Sequence, residues 1–73
     1  MGRLAGFSYQ DVTKKLRKFG FVFHRQARGD HEIWINTVTR KKLTIPHHKE
    51  ISEGTLRSLL SLAEIDVENF LEA

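Results

Sequence analysis

The chain of 73 residues contains no cysteine, which excludes a disulfide framework and any metal site built on thiolates. Its only proline is Pro46, and it shows no repeat, low-complexity tract or linker, so residues 1–73 are expected to form a single domain. No apolar run approaches the length of a membrane span, and no membrane partner is expected. The N-terminus lacks the apolar core of a secretory signal, which makes the cytoplasm the expected location. Apolar residues at 40% and charged ones at 29% fit a folded globular protein. So short a chain buries a smaller share of its surface than larger domains do, and modest stability is expected.

Charge is present in excess, and its position is informative. Residues 1–49 hold eleven Lys or Arg against Asp11, Asp30 and Glu32, a balance of +8, whereas residues 50–73 hold Arg57 against six acids, a balance of −5. All four histidines, His24, His31, His47 and His48, lie in the basic part. A region that joins positive potential to groups titrating near neutral pH suits an anionic polymer as partner. The run Lys14, Lys15, Arg17 and Lys18 also reads as an ordinary solvated helix face.

Periodicity orders the elements. Ser8 with Asp11 has the spacing of a helix start, and Tyr9, Val12, Leu16 and Phe19 recur at steps of three and four until Gly20. "FVFHRQA", "HEIWIN" and "RKKLTIPH" alternate with period two, joined by a turn at Gly29 and a polar turn at Thr37 to Thr39, so three antiparallel strands are expected. Ile51, Ser52 and Leu56 match a hydrophobic staple around an N-cap, and Leu56, Leu59, Leu60 and Ala63 form the stripe of a second helix. Asp66 caps a final turn bearing Val67, Phe70 and Leu71. The fold class is α+β: two layers in the order α-β-β-β-α, with the helices packed on one face of a three-stranded antiparallel sheet.

Strand parity then places side chains. With even register sums, Phe21, Phe23, Ile33, Ile35, Leu43 and Ile45 share the face toward the helices, and Val22, His24, Gln26, Glu32, Trp34, Lys42 and Thr44 share the other. In that ladder His31 stands opposite His47 with Arg25 one diagonal away, so one end of the sheet gathers two imidazoles and a guanidinium. Metal-free RNA cleavage needs a base for the 2′-hydroxyl, an acid for the 5′-oxygen and a cation for the phosphoryl oxygens, and these residue types supply all three. The plainer interpretation is that His31 sits at a hairpin lip while His47 and His48 follow Pro46 into a loop.

"KKLRKFGFVFHRQARGDHEIW", "LTIPHH" and "EGTLRSLLSLAEIDVENFL" together resemble the HicA family, the small toxin ribonucleases of bacterial toxin–antitoxin pairs. The most specific elements are Gly20-Phe21, the turn Gly29-x-His31, Pro46-His47-His48 and the run from Gly54 to Leu60. The resemblance implies a fold similar to the double-stranded RNA-binding domain, cleavage of messenger RNA, no cofactor, and a cognate HicB-type antitoxin. It carries the catalytic histidine onto His31, and leaves both His47 and His48 as matches for a second family histidine. Arg25, Arg28, Lys41 and Lys42 are expected to hold RNA, with Lys14, Lys15 and Lys18 on the first helix as a further cationic strip. Two positions depart from the family pattern: Asp30 stands where serine is common, and Glu32 where a second histidine is frequent. An acid beside His31 would favour the imidazolium while opposing an incoming phosphate.

Three other assignments compete. The same fold could bind RNA without cutting it, reading phosphates and 2′-hydroxyls. His, Asp30 and Glu32 side chains are competent metal ligands, but no local ligand spacing joins them, and no metal is expected. An operator-binding role conflicts with a first helix that leads into a strand rather than into a second helix.

Overall fold

Ser8 opens α1 (Tyr9–Lys18) with a capping box: its hydroxyl accepts the Asp11 N–H at 3.0 Å, and the Asp11 carboxylate accepts the Ser8 N–H. The computed structural model containing this helix describes residues 3–73. Val12, Thr13 and Leu16 are the buried side of α1, and Lys15, Arg17 and Lys18 suit the negative end of its dipole. The helix stops where Gly20 takes φ of +94°, a backbone state that a Cβ disfavours.

β1 (Phe21–Gln26), β2 (His31–Asn36) and β3 (Lys42–Pro46) follow as an antiparallel sheet in the order β1-β2-β3. The chain then enters α2 (Glu53–Ala63), where the Ser52 hydroxyl accepts the Thr55 N–H and the flanking Ile51 and Leu56 are both buried. Asp66 caps α3 (Val67–Glu72) by accepting from Glu68 and Asn69. This is the α+β arrangement of a double-stranded RNA-binding domain, with a short third helix added. Val12 and Leu16 of α1, Leu56 and Leu60 of α2 and Phe70 of α3 pack with Phe21, Trp34, Leu43 and Ile45 of the sheet into one core.

The register corrects the expected strand faces. β2 pairs with β3 as Glu32↔Ile45, Ile33↔Thr44 and Trp34↔Leu43, one residue away from the even-sum ladder. Because side chains alternate, that single step turns Glu32, Trp34 and Asn36 toward the helices and Ile33 and Ile35 toward the open face. Burying the Trp34 ring removes about 150–250 Å² from water, worth roughly 4–6 kcal/mol, whereas Ile33 and Ile35 forgo only part of about 1.5–3 kcal/mol each. The inward polar groups are satisfied: Asn36 donates to the Phe19 carbonyl at 2.9 Å and accepts from Val38 and Thr39 at 2.8 and 2.9 Å. A bulge at His24 changes the β1–β2 register, so Phe23 pairs with Trp34 but Arg25 pairs with Ile33 on the open face.

His31 therefore stands opposite Pro46, not His47 as the even ladder required. β3 ends at Pro46, and His47 faces the helix side with Glu32. The expected diagonal between Arg25 and His31 does form, because Arg25 pairs with the residue two beyond His31.

Gly20 ties the first helix to this register, since a Cβ there would meet Asn36 Nδ2 at 3.2 Å. Gly20→Ala should lower the unfolding free energy by about 1–2 kcal/mol, the cost of a left-handed backbone with a side chain. Urea denaturation would show this as a lower midpoint at unchanged slope. An unchanged midpoint would mean that the turn relaxes without loss.

Candidate functional site

The loop between β1 and β2 holds its shape through its own backbone. Ala27 N–H donates to the His31 carbonyl at 2.8 Å, Gly29 takes φ of +64°, and the Gln26 amide donates to the carbonyls of Gly29 and His31 at 3.2 and 2.9 Å. His31 is thus an exposed side chain on a fixed backbone. Its ring Nδ1 lies 3.3 Å from the Arg28 carbonyl oxygen, an acceptor only. A neutral ring makes that contact by donating from Nδ1, which leaves the Nε2 lone pair exposed. Arg25 shares this open face, as does the exposed Lys42, which pairs with Ile35 at the other end of the sheet. Arg28 is exposed in the loop itself.

On the helix side of the same sheet end, a second histidine is held differently. Glu32 is only 6% exposed, yet its carboxylate accepts from Tyr9 OH at 2.5 Å, Trp34 Nε1 at 3.0 Å and His47 Nδ1 at 3.1 Å. The Tyr9 and His47 rings stack with centroids 3.9 Å apart, and the guanidinium of Arg17 lies 5.0 Å from the centre of Trp34. Glu32 is therefore engaged away from the His31 ring, with His47, while Asp30 is exposed with an oxygen 3.9 Å from His48 Nε2. Reading β2 with the opposite parity hid Glu32 and Tyr9. The signal that finds them is the single tryptophan, whose burial requires Glu32 to turn inward beside it.

The remaining cations separate by what they already touch. Lys15 donates to the carbonyls of Ala73 and Leu71 at 2.7 and 3.4 Å and lies over the Phe70 ring, so it clamps α3 to α1. Lys41 pairs with Glu64 at 3.4 Å. Lys14 and Lys18 line a shallow cleft of the helix layer with Phe7 and Asp11. Among the described residues no three His, Asp or Glu side chains gather as a metal site, and no helix is long and apolar enough to cross a membrane.

The Glu32 network has a pH signature. Burial, and then the hydrogen bond to Glu32, push the Tyr9 phenol up to about 12. Burial alone would raise the Glu32 carboxyl, but hydrogen bonds from Tyr9, Trp34 and His47 outweigh it and hold the group below the usual range. The stabilisation from Glu32 is present above the ordinary carboxyl value of about 4.3 and is lost as pH falls through the lower folded value. That from Tyr9 is present below about 10 and is lost as pH rises through about 12. Tyr9 is the only tyrosine, so absorbance at 295 nm should show one ionisation near 12 that moves down in Glu32→Gln. A phenol titrating near 10 in the unaltered protein would contradict the network.

The profile of a protein family described as the HicA toxin of bacterial toxin–antitoxin pairs matches residues 9–65, a span from the first residue of α1 to the link between α2 and α3. No curated protein matches the chain. The family match includes the loop that fixes His31, the strand end at Pro46 and the whole of α2. Covering more than half of the chain and agreeing with its helix, sheet and helix order, it shows that this protein belongs to the HicA toxin family, whose members imply a cognate antitoxin as partner.

Proposed function

We propose that this toxin is an endoribonuclease that cuts messenger RNA, with His31 as its general acid–base. The observation that carries this reading is the exposed His31 ring, tethered at Nδ1 by the Arg28 carbonyl so that Nε2 is free to exchange a proton, with Arg25 on the same face. In the neutral ring Nε2 takes the proton of a ribose 2′-hydroxyl. The 2′-oxygen attacks the adjacent phosphorus, Arg25 meets the charge growing on the phosphoryl oxygens, and the bond to the 5′-oxygen breaks. The imidazolium, directly or through water, returns the proton to that 5′-oxygen, leaving a 2′,3′-cyclic phosphate and a 5′-hydroxyl. No metal takes part in these steps.

The open face also supports a single-stranded RNA as substrate. Partly exposed Ile33 and Ile35 lie between Arg25 and Lys42, so an apolar strip is flanked by a cation at each end along a path that a single strand can follow. A HicB-type antitoxin would silence the toxin by covering this face, and the bacterial cytoplasm is where messenger RNA would be met.

His31→Ala should abolish RNA cleavage and growth inhibition while leaving the circular dichroism spectrum unchanged, and EDTA should leave cleavage by the unaltered protein intact. Retained toxicity in a folded His31→Ala protein would overturn the assignment. RNA that is shifted in gels but never cut by the unaltered protein would identify a binding module instead.

Salt dependence maps the RNA path. Arg25→Ala and Lys42→Ala should each reduce the slope of log binding constant against log salt by about 0.7, the loss of one phosphate contact on a single strand. Lys41→Ala should change it less, because Glu64 already neutralises part of that charge. Unchanged slopes here, with reduced ones for Lys14→Ala and Lys18→Ala, would place the RNA along α1.

A further inference from the structure

Two segments meet beside His47. Ile51 N–H donates to the Phe7 carbonyl at 2.9 Å, and Ser8 forms an antiparallel bridge with Glu50. This lays the start of α1 alongside the segment that leaves β3, and between them opens a cleft of about 440 Å³ lined by Ser8, Tyr9, Gln10, His47, His48 and Lys49. The cleft belongs to the helix side of the sheet, not to the face that carries His31.

His47 is built into its wall. Its Nδ1 is committed to the buried Glu32 carboxylate at 3.1 Å, and its ring is fixed by the stacked phenol of Tyr9. Its Nε2 has no hydrogen-bond partner among the described residues. A carboxylate behind an imidazole fixes ring orientation, and Nε2 donates when the ring carries a proton on both nitrogens. The groups facing this ring are Tyr9 from α1, Glu32 from β2, and His48 and Lys49 from its own segment. Glu32 is already occupied by three donors, and Asp30 lies at His48 Nε2 rather than at His47. With that ring protonated the cleft offers a fixed N–H donor at His47 and a mobile one at Lys49, with the Glu32 carboxylate beneath the ring.

We propose that this cleft is a phosphate-binding subsite, in which Nε2 of His47 and Nζ of Lys49 receive one phosphate group and Glu32 and Tyr9 act as positioning residues for the His47 ring. The source of the phosphate is the backbone of the RNA strand, a point that rests on the ribonuclease reading; the subsite itself does not. A phosphate seated here would lie beyond the end of the sheet from the cut bond, so that the RNA passes around Pro46 from the open face to the cleft.

Nitrogen-15 correlation spectra of the histidine rings test this at pH 6, below the ordinary imidazole value of about 6.5. Inorganic phosphate and a 2′-O-methyl RNA oligonucleotide, which cannot be cleaved through its 2′-oxygen, serve as separate probes. Both should shift the His47 ring, and the oligonucleotide should bind at least threefold more weakly to His47→Ala and to Lys49→Ala. Glu32→Gln should weaken it similarly and, above pH 8, mix the two neutral tautomers of His47, a change that a merely structural role for Glu32 would not produce. If that variant fails to fold, Tyr9→Phe, which keeps the stack but removes one donor to Glu32, reads the same tautomer.

A His47 ring unmoved by either probe, together with unaltered oligonucleotide affinity in His47→Ala, would overturn the subsite even if RNA is still cut at His31. Shifts from inorganic phosphate alone would overturn the RNA source and leave a site for free phosphate. Shifts from both probes in a protein that never cuts RNA would sustain the subsite while removing the ribonuclease reading.

Discussion

A carboxylate buried beneath the first helix determines how the rest of this small protein is oriented. Glu32 joins Tyr9 of α1, Trp34 of β2 and His47 after β3 through three donors on two oxygens. Leaving such a charge buried without partners costs several kcal/mol, so the three donors and the inward turn of β2 require one another. Removing any one of them weakens the contact between helix, strand and loop at a single point. The tryptophan gains its burial in the same arrangement, and its one polar atom gains a partner.

The inward turn of Glu32 has a direct consequence for the exposed surface. Alternation along β2 sends His31, Ile33 and Ile35 outward wherever Glu32, Trp34 and Asn36 go inward. The bulge at His24 brings Arg25 onto that outer face as well. The sheet thus separates two histidines that leave it from almost the same level. One is tethered by a carbonyl, which selects a tautomer without adding charge; the other is tethered by a carboxylate, which also compensates a proton when the ring carries one. The two tethers thus leave each ring with its Nε2 side turned outward but with a different charge behind it.

Charge follows the same division. Part of the basic first half is spent inside the molecule: Arg3 pairs with Glu68, Lys41 with Glu64, and Lys15 holds the carbonyls at the end of α3. Two acids of the second half, Glu64 and Glu68, thus meet part of the basic charge at the surface, and Lys15 holds the end of α3 against α1. Arg25 and Lys49 remain exposed around the sheet end that carries the two histidines, and Lys42 is exposed at the opposite end.

The sequence by itself determined the elements and their order, because caps, staples and periodicities act over three or four residues. Ser8 with Asp11, Ile51 with Ser52 and Leu56, and Asp66 before α3 all stand where local pattern placed them. The diagonal from Arg25 to His31 was also legible, since a tight turn leaves little freedom nearby. Only the tertiary structure decided the register of β2. Both faces of "HEIWIN" carry apolar side chains, Ile33 and Ile35 on one and Trp34 on the other, so alternation alone could not choose between them. The choice rests on partners far away in the chain: Tyr9 for Glu32, Phe19 for Asn36 and Arg17 for Trp34. For the same reason His47 could not be separated from His31 by spacing, because a one-residue step in a ladder leaves the sequence unchanged and reverses every side chain.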